Sequence, residues 1–578
     1  MDTGAQMNSP GIGASTSTSN SSRVIDYLRR HRILIGLVLV GFLIRLLAFR
    51  FMPGRSDTEG AEYSRIAENL LAGNGYFGVV YSGAPPVFPP LFPFLIAAGS
   101  LVTGNVETGA RLVSLLMGTT LVASGYLLAL HLYDRSTARV AAALIALHPL
   151  LVAFSTTAYV EMTYLALMVP GILFCMRSLS SSAPRDFMLA GLFMGLGSLA
   201  RTEPLLYVMI FGAILVGTRF AARQFQVLPD LRRFGLTVLV FTLLVAPYVI
   251  WLSSIAGKFT FEGKSAPNYV TDTQIQAGKD IYQASYGIDE DLHETGGYFG
   301  SQIAAALQHP PPVSARLKHI AHKLPFSIQE TIRAYTKRAS LGSPWLFALV
   351  VLGLFGVPWS RAQIPRQLFL LAIIGVAAVA LGMIYYVAVR YFLLSFVFLV
   401  IWASRGLLGL YAWSRETIWG ERVPSTLAGR LLPAAIPVLI ALYMFSTSVR
   451  SLDTEEDIQQ HRYGWQEMEA VARWISDQQA SLPPGHPRTV VAYTSHVLPF
   501  LAHASWVPLP HASEKAALTY MDKRGVNLIV VSGKVADTVP YGKDWAEKGI
   551  GDSRAHLVHV VDSAQGKYSI YEFKSARN

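Results

Sequence analysis

The sequence predicts an all-α polytopic membrane bundle of about 11 transmembrane helices, followed by a small C-terminal α/β domain. Of its 578 residues, 52% are hydrophobic and only 15% are charged, whereas soluble domains carry about 25% charged residues. Apolar runs long enough to cross a bilayer alternate with short segments that contain arginine. The net charge of +11 is concentrated in those segments, which is a topology signal of membrane proteins and argues against nucleic-acid binding.

The N-terminal region predicts the orientation of the chain. Residues 1–22 are rich in Ser, Thr and Gly and lack apolar periodicity, which is typical of a disordered tail. Arginines at positions 23, 29, 30 and 32 precede the first apolar run, Ile33–Met52. The run is too long for a signal-peptide core, so we expect a retained helix with the N-terminus in the cytoplasm. The segment after it is then periplasmic in a bacterium.

Ten further apolar runs complete the predicted transmembrane domain, residues 23–450. Their arginine-containing loops agree with the positive-inside rule, and an odd number of spans puts the C-terminus outside. Two long outer loops, residues 53–107 and 254–342, interrupt the bundle, and the first contains a proline-rich segment, Pro85–Gly99, that we interpret as re-entrant or interfacial. The ten runs are Thr108–Leu132, Ala138–Phe154, Tyr159–Met176, Phe187–Ala200, Pro204–Phe220, Phe234–Ser253, Pro344–Val357, Leu368–Tyr386, Phe392–Leu410 and Leu431–Ser446.

Residues 451–578 predict a periplasmic α/β domain. Helical spacing in Trp465–Gln479 and Glu514–Lys523 alternates with short strand patterns. Those strand patterns are Thr489–Tyr493, Asn527–Ser532, His556–Val561 and Tyr568–Phe573. We find no glycine-rich phosphate loop and no metal-ligand spacing there, so we interpret it as an accessory domain. The single cysteine, Cys175, lies in an apolar run and predicts a buried, inert thiol.

The first outer loop carries the densest group of acidic residues. It holds Asp57, Glu59, Glu62 and Glu68 directly after the first span. A carboxylate there can act as a general base, can hold a divalent cation, or can be solvated without a specific role. Asp57 and Glu59 are two residues apart, a spacing that points both side chains to one face of an extended segment. We favour Asp57 as the reactive group, Glu59 and Glu62 as helpers and Glu68 as a solvated helix residue.

Charged residues at the outer ends of later spans are further candidates. Glu161 begins a predicted span on the same side as Asp57, where it can interact with the helix dipole or join a shared site. Arg201 and Glu203 form a pair of opposite charges that is most often structural, although Arg201 could face a phosphate. Arg390 can anchor its span at the interface beside tyrosines or can bind a phosphate in a bidentate manner.

Arg45 lies inside the first span, toward its predicted outer end. Its side chain can extend to the interface. Alternatively, it faces the bundle interior beneath the acidic loop, because charges inside membranes are costly and usually functional.

The pattern SD-x4-EY-x3-AENLL-x2-NGY, followed by PP-x2-PF and then Arg111, resembles a known family. It is similar to polyprenyl-phosphate-dependent membrane glycosyltransferases of the GT-C fold. More narrowly, it is similar to the bacterial family 39 type, which is related to protein O-mannosyltransferases and lipid A aminoarabinose transferases. The segments LHPLLVAFSTTAYVEMTYLAL, ARTEPLL and RYFLLSFVFLVIWASRGL resemble later parts of that family, so the resemblance covers about residues 33–410.

The resemblance implies transfer of a sugar from a polyprenyl phosphate to a lipid, glycan or protein acceptor at the periplasmic face of the bacterial inner membrane. It implies that Asp57 and Glu161 are catalytic. The implied substrate-binding residues are Glu59, Glu62, Tyr63, Arg45, Arg201, Lys258 and Arg390. The resemblance requires no cofactor, and a divalent cation stays open because the loop reads Asp-Thr-Glu where some members have Asp-Glu. A transporter or lipid flippase and a non-catalytic envelope scaffold are the alternatives.

Overall fold

The computed structural model describes residues 20–52, 56, 58–79, 88–224, 226–342, 344–383, 387–420, 431–454, 466–483, 487–563 and 566–574. The predicted disordered tail lies outside these residues except for its last three, which begin the first helix. Helices dominate the chain up to the C-terminal domain. In chain order they are α1 (Asn20–Phe51), α2 (Thr58–Leu71), α3 (Leu91–Thr103), α4 (Val106–Leu132), α5 (Arg135–Leu147), α6 (Pro149–Phe154), α7 (Glu161–Ser180), α8 (Pro184–Ser198), α9 (Pro204–Ala221), α10 (Val227–Ala256), α11 (Ser265–Gln276), α12 (Ile281–Tyr286), α13 (Gly300–Gln308), α14 (Val313–Lys337), α15 (Trp345–Phe355), α16 (Ile364–Ala380), α17 (Leu393–Trp413) and α18 (Ala435–Ser451).

The chain is a multi-pass membrane protein. Among the described residues, seven helices are long and apolar enough to cross a membrane. They correspond to α1, α4, α7, α9, α10, α17 and α18 with short extensions. The other predicted spans are helical but shorter, as in the 11 residues of α15 and the 17 residues of α16.

The predicted span Ala138–Phe154 is wrong as a single helix. It is divided into α5 and α6 at His148, whose backbone is extended (φ −60°, ψ 121°). The cause is Pro149, which disfavours the α conformation in the preceding residue and has no N–H to continue the helix.

The proline-rich segment forms α3, a 13-residue apolar helix that is too short for a full span. Pro90 is its N-cap and Pro93 lies in its first turn, where a missing N–H leaves no intrahelical bond unmade. Residues 80–87 lie outside the described part, so the re-entrant interpretation stays a prediction.

Small residues bring the bundle helices close together. At the crossing of α15 and α17, a Cβ atom on Gly353 would lie 1.8 Å from the Trp402 carbonyl oxygen, and one on Gly406 would lie 2.1 Å from the Leu349 carbonyl oxygen. Backbones that approach this closely exclude any side chain, which is the usual packing mode of membrane helices.

The C-terminal domain is α/β, as predicted, and contains a five-stranded mixed sheet in the order β2-β1-β3-β5-β4. The strands are β1 (Val490–Tyr493), β2 (Ser505–Pro508), β3 (Leu528–Val531), β4 (Ala555–Ser563) and β5 (Gly566–Phe573). β1 runs parallel to β2 and β3, and β5 is antiparallel to both β3 and β4. The sequence prediction missed β2, because its four residues end in proline; an edge position tolerates that proline.

The C-terminal domain shares a hydrophobic core with the outer end of the bundle. Tyr63 of α2 and Phe92 and Ile96 of α3 belong to the same buried cluster as Trp506 and Val491 of the sheet. The C-terminal domain therefore packs directly on α2 and α3 at the outer end of the membrane bundle.

Candidate active site

A chamber of about 1160 Å³ lies between the bundle, the loop helices α11 to α14 and the C-terminal domain. It exceeds the roughly 300–1,000 Å³ of ordinary small-molecule pockets. Its apolar lining includes Leu205, Leu206, Val376 and Val379, from the apolar helices α9 and α16. Residues from α2 and from the C-terminal domain line other parts, so the chamber has both an apolar and a polar lining.

Six charged side chains form a cluster at the bundle end of this chamber, in which Arg201 and Glu203 line both the chamber and a small neighbouring cavity. They are Glu59, Glu161, Arg201, Glu203, Lys264 and Arg390. Arg201 Nη1 lies 3.1 Å from Glu161 Oε1, and Arg201 Nη2 lies 2.8 Å from Glu203 Oε1. A smaller cavity of about 50 Å³ is lined by Glu161, Arg201 and Arg390 together. The structure therefore joins the predicted second-loop acid to both predicted arginines.

Glu59 connects the two remaining cations. Its Oε1 lies 3.3 Å from Lys264 Nζ, and its Oε2 lies 3.4 Å from Arg390 Nη1. Burial by itself would raise the pKa of the Glu59 carboxyl, but the charges of Arg390, Lys264 and Arg201 outweigh it and lower that pKa to about 2. Glu59 is therefore an ionised bridge between two cations at neutral pH.

Aromatic rings hold the cations in place. The Arg390 guanidinium lies 4.7 Å from the centre of the Tyr159 ring and 5.4 Å from that of Tyr391. Lys264 Nζ lies 4.2 Å from the Phe88 ring centre. Cation–π contacts of this kind orient a cation and leave its N–H groups able to bind an anion. Arg390 is only 5% exposed, so it lies in the protein interior and does not anchor the helix at the interface.

The C-terminal domain holds α2, the helix that carries Glu59, Glu62 and Tyr63. The buried Arg65 donates hydrogen bonds from Nη2 to the carbonyl oxygens of Phe500 (3.1 Å) and Pro499 (3.3 Å). His496 Nε2 lies 2.5 Å from the Thr58 carbonyl oxygen at the first turn of α2, and since a carbonyl only accepts, this nitrogen carries the proton. The prediction of a merely accessory domain is therefore too narrow, because the domain positions a chamber helix.

Of the first-loop acids, Glu62 lines the chamber, and its Oε2 accepts a hydrogen bond from Val79 N at 2.9 Å. Tyr63 also lines it and packs edge-on against Phe88 and Phe92. Glu68 is not a freely solvated side chain, because it pairs with Arg65 at 3.3 Å.

Asp57, the favoured catalytic residue, lies outside the described residues, so its role stays a prediction. The chain on both sides of it is fixed. Ser56 N donates to Glu107 Oε1 at 2.9 Å, and the Thr58 carbonyl accepts from His496. Thr58 also lines the chamber.

Two predicted substrate-binding cations are placed elsewhere. Arg45 is fully buried and faces the interior, but it donates to the carbonyls of Ile145 and Ala146 at the end of α5 and does not line the chamber. Lys258 donates to the Gln308 carbonyl on an exposed surface. Neither is brought to the six-residue cluster, because their backbone partners lie at helix ends outside it.

Sequence reasoning did not select Lys264, Glu203 or His496 for the site. Lys264 was only one of several basic residues in the long outer loop, 205 positions away from its partner Glu59 in sequence. His496 follows β1, at the carboxyl end of a parallel strand where sites commonly form. Its position just after a predicted strand could have identified His496 as a candidate from the sequence.

A bound divalent cation stays a hypothesis, and only the donor side chains that the structure describes bear on it. In the described part of the chain, no three His, Cys, Asp or Glu side chains gather in a way that could hold a metal ion. Glu59 and Glu161 each face a cation of the protein, so they do not form a metal donor set. A site that includes Asp57 lies outside the described residues.

Comparisons with known proteins give the same architecture. Residues 87–251 match the model of the dolichyl-phosphate-mannose-protein mannosyltransferase family. The archaeal oligosaccharyltransferase AglB from Archaeoglobus fulgidus, in complex with an inhibitory peptide and a dolichol-phosphate, is similar with a TM-score of 0.56 and 13% identity, over 95% of this chain and 75% of AglB. No curated protein is significantly similar in sequence.

ArnT from Cupriavidus metallidurans is similar in two states. The structure bound to undecaprenyl phosphate gives a TM-score of 0.53 and 14% identity over 94% of this chain and 99% of ArnT. The apo structure gives a TM-score of 0.56 and 14% identity over 95% of this chain and 98% of ArnT. The chain therefore has the GT-C fold of polyprenyl-phosphate-dependent membrane glycosyltransferases, the fold class that its sequence predicts.

Proposed function

We propose that the protein is a membrane glycosyltransferase that moves a sugar from a polyprenyl phosphate to an acceptor bound in the chamber. The observation that carries the proposal is the cluster of Arg201, Lys264 and Arg390 beside Glu59, at the place where the large chamber meets the apolar bundle. A lipid phosphate needs cations at its head and apolar surface along its tail. AglB with a dolichol-phosphate and ArnT with undecaprenyl phosphate support a ligand of this class.

The reaction breaks the bond between the anomeric carbon and the phosphate oxygen and forms one to the acceptor. The acceptor hydroxyl or amine gives its proton to a carboxylate, for which we propose Asp57. The bonding electrons leave with the phosphate, and Arg390, Lys264 and Arg201 stabilise its charge. Glu161 and Glu203 fix the Arg201 guanidinium by ion pairs. Burial would raise the pKa of the Glu203 carboxyl, but the Arg201 charge lowers it overall, so Glu203 stays ionised.

We further propose that the transferred sugar is a hexose or pentose, that the acceptor is a lipid, glycan or protein, and that the chamber faces the periplasm of a bacterial inner membrane. The support for the sidedness is the arginine distribution of the sequence. We propose no obligatory cofactor, and a divalent cation bound through Asp57 stays a hypothesis. A transporter or flippase is less well supported, because the charged side chains gather at one end of the bundle beside outer domains.

The test is transfer from a polyprenyl-phosphate sugar by the purified full chain in detergent. Asp57→Asn is expected to abolish transfer while the protein still inserts and melts as the wild type does. Glu68→Gln is the matched control, because Glu68 lies on the same helix, α2, but does not line the chamber. Full activity of Asp57→Asn would remove Asp57 from the mechanism. Mass spectrometry of envelope glycans and glycoproteins, with and without the gene, would identify the sugar and the acceptor.

A further inference from the structure

Among the described residues, each cation of the six-residue cluster already pairs with a carboxylate when no ligand is bound. Three carboxylates face three cations among the described residues there. The carboxylates are those of Glu59, Glu161 and Glu203, and the cations are Arg201, Lys264 and Arg390. A phosphate that enters such a cluster brings its negative charge next to these carboxylates in a poorly solvated place, which is unfavourable. One carboxylate must therefore move away from the cations when a phosphate binds.

Glu59 is the carboxylate that the structure holds least tightly. Its contacts with Lys264 and Arg390 are 3.3 and 3.4 Å long, and its side chain is 25% exposed to the chamber. Glu203 instead accepts from Arg201 at 2.8 and 3.0 Å. Glu161 lies 3.1 Å from Arg201 and is only 2% exposed. Charge-assisted bonds strengthen as they shorten toward about 2.7–2.9 Å, so Glu59 is the partner most easily exchanged.

Glu59 is also placed where a phosphate would bind. Each of its carboxylate oxygens faces one cation, as two oxygens of a phosphate would do. It belongs to the first turn of α2 and lines the chamber, so space is available for its side chain to turn away.

We propose that Glu59 occupies the phosphate-binding position between Lys264 and Arg390 in the ligand-free protein and is displaced by the phosphate of the lipid donor. This inference rests on the proposed function. It makes Glu59 a positioning residue that keeps the two cations apart and oriented before the donor arrives. It also sets the donor affinity, because each binding event must break the bridge and each release event restores it.

The experiment measures equilibrium binding of undecaprenyl phosphate to the full chain in detergent micelles, without an acceptor. Glu59→Gln is expected to bind at least about tenfold more tightly than the wild type, because a neutral amide pairs with Lys264 and Arg390 less strongly than a carboxylate and the phosphate displaces it more easily. In turnover, the same variant is expected to lower both KM for the donor and kcat, since product lipid phosphate leaves more slowly. A purely structural role would not tighten binding.

Glu68→Gln is the matched control. Glu68 lies further along the same helix, α2, pairs with Arg65 at 3.3 Å, and is not among the residues that line the chamber. It is expected to leave the undecaprenyl phosphate affinity unchanged. If Glu59→Gln melts far below the wild type, Glu59→Asp replaces it; its shorter side chain is expected to tighten binding by less than Glu59→Gln would.

The outcomes separate the two proposals. Unchanged or weaker binding by Glu59→Gln and Glu59→Asp, with normal binding by the wild type, overturns the displacement and leaves the glycosyltransferase proposal standing. Equal tightening by Glu68→Gln also overturns it, because the effect would then be one of general charge. Failure of the wild type to bind undecaprenyl phosphate overturns both proposals.

Discussion

Two buried arginines of the bundle, Arg45 and Arg390, differ in what surrounds them. Arg45 is fully buried, and its guanidinium donates to the carbonyls of Gly41, Ile145 and Ala146 at 3.0–3.2 Å and to the Ser155 hydroxyl at 3.0 Å. Arg390 is 5% exposed, contacts the Tyr159 and Tyr391 rings and the Glu59 carboxylate, and lines the small cavity beside the chamber.

The difference teaches that burial of a charge does not by itself mark a functional residue. Two of the partners of Arg45, the Ile145 and Ala146 carbonyls, lie at the break between α5 and α6 and would otherwise be unsatisfied in the bundle interior. They cannot leave without unfolding the helix end. The Glu59 carboxylate beside Arg390 belongs to a side chain that can turn away. Fixed partners indicate a structural arginine, and an exchangeable partner at a cavity indicates a binding arginine.

The largest expected effect tests the structural half of this comparison. Arg45→Met keeps the apolar volume but leaves the Ile145 and Ala146 carbonyls unpaired, at about 1–3 kcal/mol for each buried group. We expect a loss of about 4 kcal/mol in the free energy of unfolding, measured by thermal melting in detergent. The protein that remains folded is expected to bind undecaprenyl phosphate normally. A stable variant that fails to bind would make Arg45 a binding residue.

The second effect tests the binding half. Arg390→Gln removes a cation from the proposed phosphate site and is expected to weaken undecaprenyl phosphate binding by about a hundredfold, or about 2.7 kcal/mol. The melting temperature is expected to change little, because Glu59 keeps Lys264 as a partner.

Arg405→Gln is the control for Arg390→Gln. Arg405 lies within α17, which begins at Leu393, three residues after Arg390. Its guanidinium lies 4.4 Å from the Tyr133 ring centre, and it is about 18 Å along the helix from Leu393 at 1.5 Å per residue. It is expected to leave binding unchanged. Equal losses in the two variants would mean that damage to α17, and not the lost phosphate contact, explains the result.

The smallest expected effect is a pH dependence of stability that distinguishes the ion pairs of Glu59 from the uncharged hydrogen-bond partners of Arg45. The pKa of Glu59 is lowered to about 2 in the folded protein and is about 4.3 in an unfolded chain. Its stabilising contribution is therefore complete above about pH 4.3 and is lost as the pH falls toward 2. After allowance for solvent screening, we expect the ionised Glu59 carboxylate to contribute about 1 kcal/mol to the free energy of unfolding.

The measurement compares melting of the wild type and Glu59→Gln from pH 6 to pH 2.5. The difference between them is expected to shrink as the pH falls. The difference between the wild type and Arg45→Met is expected to stay constant, because the recorded partners of Arg45 are uncharged. A constant difference for Glu59→Gln would mean that Glu59 is not ionised by its cation partners.

The sequence by itself determined the fold class, the multi-pass character and the α/β nature of the C-terminal domain. These depend on local patterns, namely apolar runs, proline positions and strand alternation, which are readable along the chain. It also selected Glu59, Glu161, Arg201 and Arg390, because ionisable groups at the ends of apolar helices are costly unless they have partners.

Only the tertiary structure decided which partners these groups have. Lys264 reaches Glu59 across 205 positions of sequence, and His496 reaches the Thr58 carbonyl across 438. No pattern of neighbouring residues encodes such distances, because they result from packing of the loop helices and the C-terminal domain against α2. The same packing placed Arg45 beside backbone carbonyls and Arg390 beside Glu59 and a small cavity, although the sequence presented both as arginines near the outer ends of apolar helices.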